Sequence, residues 1–130
     1  MIHEEIVTFK VAKLAKEKGF SLPCLYHFNR NGNLKGHYNY DADNSGIGVG
    51  ELLRSKVGEE DYLAPTQSLL QRWLREEKGL HITVPFDNNE FWWQIKNLAN
   101  GDSEYGEALG FDTYELALED ALKYALENLL

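Results

Sequence analysis

The hydrophobic period of this chain switches repeatedly between about 3.6 residues, which marks a helix with one buried face, and 2 residues, which marks a strand. From Thr8, the stretch TFKVAKLAKEKGF places Val11, Ala12, Leu14 and Ala15 at helical spacing and stops at Gly19. Thr8 is positioned to cap, and Gly19 suits the left-handed position that follows a helix. CLYHF at 24–28 and HYNY at 37–40 alternate, and the NRNGNLKG between them is turn-forming, so a hairpin is expected with Tyr26, Phe28, Tyr38 and Tyr40 facing the core. Residues 41–61 hold four of the eleven glycines and predict a loop with one short helix. APTQSLLQRWLREEKG then carries Leu69, Leu70, Trp73 and Leu74 at helical spacing between Pro65 and Gly79. Leu80, Ile82 and Val84 alternate up to Pro85, and FWWQIK at 91–96 alternates again, while the glycine-broken 97–111 segment reads as loop. Asp112 and Glu115 form a capping-box pattern ahead of a last helix running from Tyr114 to the end. The order α-β-β-α-β-β-α predicts a single α+β domain over residues 1–130. Its expected architecture is one mainly antiparallel four-stranded sheet with the helices packed on one face.

Composition narrows the functional classes. Thirteen Lys and Arg against 21 Asp and Glu give a net charge of −8, which opposes a phosphate backbone at long range. The excess is uneven: residues 1–40 carry six bases against three acids, and residues 41–130 carry seven against eighteen. The single Cys24 cannot form an intramolecular disulfide, which fits a reducing compartment. No apolar run reaches the roughly 18 residues of a membrane span, and MIHEEIVTF lacks the layout of a secretory signal. The expected location is the cytoplasm.

The segments TFKVAKLAKEKGF, YLAPTQSLLQRWLREEKGLHITV, FWWQI and TYELALEDALKYALENLL resemble a family of small proteins of unassigned activity encoded by gut-bacterial phages, prophages and mobile elements. About half of the chain carries the resemblance, most firmly APTQSLLQRWLRE and the strand after it. It implies a phage or mobile-element setting, with the bacterial cytoplasm as the location, and brings no catalytic residue with it.

Candidate chemistry is sparse. Asp41, Asp43, Ser45 and Gly46 match the opening of a calcium loop, but the twelfth position is Leu52, with Glu51 one place early, so an acidic turn explains them as well. Gly46, Gly48 and Gly50 lack both the GxGxxG spacing and the Lys-Ser/Thr of phosphate loops. His27, His37 and His81 all fall on the outward side of the strand pattern, where three imidazoles can share a zinc or simply face solvent. Cys24 alternates inward with Tyr26 and reads as a small buried hydrophobe rather than a nucleophile. No acid, base and nucleophile constellation can be assembled, and no cofactor is expected.

Trp92 stands out because Phe91 and Trp93 flank it, so alternation sends it to the open side of the sheet. With His27, His37, Asn39, His81, Gln94 and Lys96 it is expected to form a surface for a protein partner, unless the chain folds over it. The alternative is single-stranded nucleic-acid binding through the same aromatic face, with Lys10, Lys13 and Lys16 supplying positive charge. Glu115, Glu119, Asp120 and Glu127 are expected on the outer face of the last helix, either solvated or paired with a basic partner.

Overall fold

The computed structural model describes residues 4–36, 58–106 and 110–130. Their contacts divide the chain into two compact units, residues 6–66 and residues 1–5 with 67–130.

In the 6–66 unit, helix α1 (Phe9–Glu17) begins at Thr8, whose Oγ1 accepts the Val11 N–H at 3.3 Å. Its end is closed by paired reverse bonds, Phe20 N–H to Ala15 O at 2.9 Å and Gly19 N–H to Lys16 O at 3.1 Å. Such a closure needs a positive φ, and Gly19 supplies it at 95°. Strands β1 (Tyr26–Phe28), β2 (Leu34–Gly36) and β3 (Tyr62–Leu63) form an antiparallel sheet in the order β2-β1-β3. Val7, Val11, Ala12, Ala15, Phe20 and Phe28 are buried in this unit. The first hairpin returns earlier than the sequence suggests. Asn29 Oδ1 accepts the N–H groups of Asn31 and Asn33, and Gly32 takes φ 85°, so the chain turns within 29–33 and pairs again from Leu34. The 37–40 segment expected as the second strand lies outside the described residues, as do Tyr38 and Tyr40. Of the two remaining aromatics, Phe28 is buried but Tyr26 is exposed, with its ring laid over Gly36.

In the other unit, helix α2 (Gln67–Lys78) ends at Gly79 with φ 68°, as its pattern predicts. Strands β4 (Leu80–Thr83), β5 (Phe86–Asp87), β6 (Glu90–Phe91), β7 (Gln94–Asn97) and β8 (Ser103–Tyr105) follow, and helix α3 (Tyr114–Asn128) completes the unit. The cap of α3 is Thr113, whose Oγ1 accepts the Leu116 N–H at 3.1 Å, and not the expected Asp112. Sheet β4-β7-β8 is antiparallel. Its apolar side, with Leu80, Ile82 and Ile95, is buried together with Leu70 and Leu74 of α2 and Leu118, Leu122 and Leu126 of α3.

The register shows that β4 to β7 are one hairpin. Thr83 faces Gln94, and three residues further along each strand Phe86 faces Phe91 in the same register. Between them Pro85 has no N–H, so its pair with Trp92 closes through a single bond, Trp92 N–H to Pro85 O at 2.9 Å. The turn is Asn88-Asn89, both at positive φ, 53° and 63°, the conformation that two-residue hairpin turns require.

The architecture is therefore α+β, as expected, but the single four-stranded sheet is corrected to three small antiparallel sheets of three, three and two strands among the described residues. Two short strands account for the difference. β3, at 62–63 just after the segment read as loop, joins the first hairpin, and β8 comes from the 97–111 segment and joins the second. Because Asn89 holds a left-handed backbone that a β-branched side chain resists, Asn89→Val is expected to lower stability by about 1–2 kcal/mol. Asn89→Gly is expected to match or exceed the natural protein, both read by urea unfolding.

Candidate functional site

The three-stranded sheet of the 67–130 unit has one buried face and one open face. Cross-strand pairing sets His81 opposite Lys96 and Lys96 opposite Ser103, then Thr83 opposite Gln94 and Gln94 opposite Tyr105. The open face is thus polar, with Tyr105 as its aromatic member. Gln94 Nε2 lies 3.4 Å from both Ser103 Oγ and Tyr105 Oη, while His81 Nδ1 is enclosed with no hydrogen-bond partner among the described residues. His81, Gln94 and Lys96 therefore do share a face.

His27 belongs to the other three-stranded sheet, where it pairs with Lys35 and Leu63, and its Nδ1 is likewise enclosed without a partner among the described residues. The common face expected for His27 and His81 is replaced by two separate sheets. His37 and Asn39 lie outside the described residues, as do the ion-loop candidates Asp41, Asp43 and Ser45. Among the described residues no group of three or more His, Cys, Asp or Glu side chains is placed to hold a metal.

Trp92 is half-buried and braced within its own hairpin. Its indole N–H donates to Asp87 O at 3.2 Å, so the turn end of the hairpin provides part of the covering that an open-side tryptophan needs. Its neighbour Trp93 is almost wholly buried, with Nε1 donating to Asp120 Oδ2 at 2.8 Å and its ring tilted against Tyr124 at 5.1 Å. Gly106 passes so close to this indole that a Cβ there would fall 2.9 Å from Nε1. Asp120, expected on a solvated face, is thus an anchor for the sheet. A hydrogen bond to a charged acceptor contributes about 1.5–3 kcal/mol, enough to hold this register.

An exposed aromatic surface lies at the hairpin's tip. Phe86 is 60% exposed and its ring centroid stands 4.8 Å from that of Phe91. The Phe91 ring meets Tyr114 edge-on at 6.2 Å, and two backbone bonds, 2.9 and 2.8 Å, tie Phe91 to Phe111. Tyr114, 40% exposed, also lines a cleft of about 210 Å³ with Glu4, Glu5, Gln67, Gln71 and Glu115. Alternation alone misses this ridge, because Pro85 and the polar DNNE run conceal that Phe86 and Phe91 are a facing pair. The usable signal is two aromatics equidistant from an Asn-Asn turn.

Two lysines of α1, Lys13 and Lys16, are turned onto their own unit. Lys16 Nζ donates to the carbonyls of Glu59 and Asp61 and stands 4.8 Å from the Tyr62 ring centre, and Lys13 lies 4.5 Å from that of Phe9. Lys16 also borders a cleft of about 370 Å³ with Phe20, Asp61 and Leu63. Comparison with protein-family models, with curated proteins and with solved structures finds no match.

Cys24 is buried, donates to Leu22 O at 3.3 Å, and is pushed by desolvation from 9.0 up to about 12. A neutral thiol favoured by the fold contributes stability that is complete below pH 9 and is lost as the pH climbs towards 12. With thiolate suppressed about a thousandfold, native Cys24 is expected to resist a disulfide reagent at pH 8 and to react promptly once urea unfolds the chain.

Proposed function

We propose that this chain is a small non-enzymatic accessory protein of a phage or mobile element that works in the bacterial cytoplasm by binding another protein. The observation that carries the reading is the ridge of Phe86, Phe91 and Tyr114, fixed by hairpin register and held outward at a tip where 60% of Phe86 meets solvent. Large aromatics on a rigid element bury much area at little entropic cost, which is why they dominate protein-binding surfaces. The setting rests on the sequence resemblance alone. The polar face bearing His81, Gln94 and Lys96 flanks the same hairpin, and Trp92 supports its tip.

Two observations weigh against single-stranded nucleic acid as the partner. The 1–5 and 67–130 unit, which carries the ridge, holds five Lys and Arg against fourteen Asp and Glu. Of the three α1 lysines offered as its electrostatic half, Lys13 and Lys16 lie over aromatic rings of their own unit. Among the described residues no helix is long and apolar enough to cross a membrane.

The test is capture from lysates of phage-infected bacteria on the tagged chain, with Phe86→Ser and Trp92→Ala alongside. A protein is expected to be retained by the natural chain and lost by about thirtyfold with Phe86→Ser, the effect of removing an aromatic anchor worth about 2 kcal/mol. Trp92→Ala is expected to weaken retention less, through a looser tip. Equal retention by all three chains contradicts the reading, and nucleic acid released by salt in place of protein favours the alternative.

A further inference from the structure

The two edges of the hairpin tip differ. Trp92 N–H donates to Pro85 O, so the bonded positions of this strand are Thr83, Pro85 and Asp87. Val84 and Phe86, which lie between them, turn their N–H and C=O groups away from the facing strand. The same alternation turns both backbone groups of Phe91 outward on the other side, and there Phe111 meets them with bonds of 2.9 and 2.8 Å. One edge of the tip is thus closed by an added piece of chain. On the opposite edge, among the described residues, no hydrogen bond engages the backbone of Val84 or Phe86.

The open stretch has definite limits. Two residues before Val84, the outward C=O of Ile82 accepts Gln71 Nε2 at 3.0 Å, so a side chain of α2 guards the strand there. Past Phe86 and Asp87 the chain enters the Asn88-Asn89 turn. The commonest guards of a sheet edge are missing between these limits. Lys and Arg do not occur from Leu80 to Asn89. The N–H that Pro85 lacks belongs to the inner, paired side, so its absence leaves the outer edge intact.

Two donors and two acceptors, repeating every second residue, are met together by the backbone of an extended chain. Phe86 stands 60% exposed among them, with its ring centroid 4.8 Å from that of Phe91 across the hairpin. A strand laid along residues 84–86 sets one of its side chains beside the Phe86 ring, on the side away from Phe91. It therefore extends the row of Phe86, Phe91 and Tyr114 by one member.

Resting on the protein-binding reading above, we propose that the partner enters as an extended, net-basic segment that adds a strand to the open edge at Val84 and Phe86, with an apolar side chain against the Phe86 ring. The charge follows from the unit that carries the edge, which holds five Lys and Arg against fourteen Asp and Glu. A second copy of this chain would bring the same acid excess to the edge, so the segment belongs to a different protein.

The experiment pans a random peptide library against the immobilised full chain and titrates the best peptide in solution. Enriched peptides are expected to be net basic, with apolar residues at alternate positions. The Val84 and Phe86 amides are expected to exchange quickly in the free chain and at least tenfold more slowly with the peptide bound. Backbone N-methylation of the peptide keeps every side chain. It is expected to weaken binding at least tenfold at alternate residues and less than threefold between them. Peptides that are lost with Phe86→Ser, yet leave both amides in fast exchange and tolerate N-methylation throughout, would overturn the strand addition and leave the protein-binding reading in place. A chain that dimerises by itself with these two amides protected would put a second copy on the edge and overturn the inference too. Failure to enrich any peptide above a bare support would overturn both the inference and the reading it rests on.

Discussion

Two asparagines at positive φ set the register of the hairpin that runs from Leu80 to Asn97, and most of what distinguishes its unit follows from that turn. A slip of one residue would exchange the two faces of the hairpin. Ile82 and Ile95 would leave the core, Trp93 would lose Asp120, and Phe91 would no longer face Tyr114. The register survives Pro85 because one bond to the Trp92 N–H is enough to continue it, while the missing second bond lets the last pairs twist away as a separate two-stranded tip. The tip is then fastened from the other side by the Phe91–Phe111 bonds, just ahead of α3.

The same unit concentrates acid charge. Gln67 and Gln71 on α2 turn their amide N–H groups towards α3 and β4, which helps hold the helices to the sheet. The other unit contrasts with this. Its Lys13 and Lys16 lie over Phe9 and Tyr62, and its buried cysteine is held as a neutral thiol.

Helices were legible in the sequence because each buries a stripe long enough to repeat: Val11, Ala12 and Ala15 in α1, Leu70, Trp73 and Leu74 in α2, Ala117 to Leu126 in α3. The glycine stops at Gly19 and Gly79 were equally plain, since a positive φ leaves few alternatives. Strands were legible only where they pack against helices. β3 has two residues, too few for a period, β8 is the polar run Ser-Glu-Tyr at a sheet edge, and β2 is Leu-Lys-Gly inside a turn-like context. The face shared by His81, Gln94 and Lys96 follows from alternation, whereas the cleft beside Tyr114 draws Glu4 and Glu5 to residues more than sixty positions away, a juxtaposition that no local pattern encodes.

The hairpin continues past Pro85 as an ordered tip, and amide hydrogen exchange measures this directly. The Phe91, Trp92 and Phe111 amides, bonded at 2.9, 2.9 and 2.8 Å, are expected to be protected alongside those of the β4–β7 ladder. If these three amides exchange at the rate of an open chain while the ladder stays protected, the tip is frayed. The aromatic ridge would then not be held in place to meet a partner.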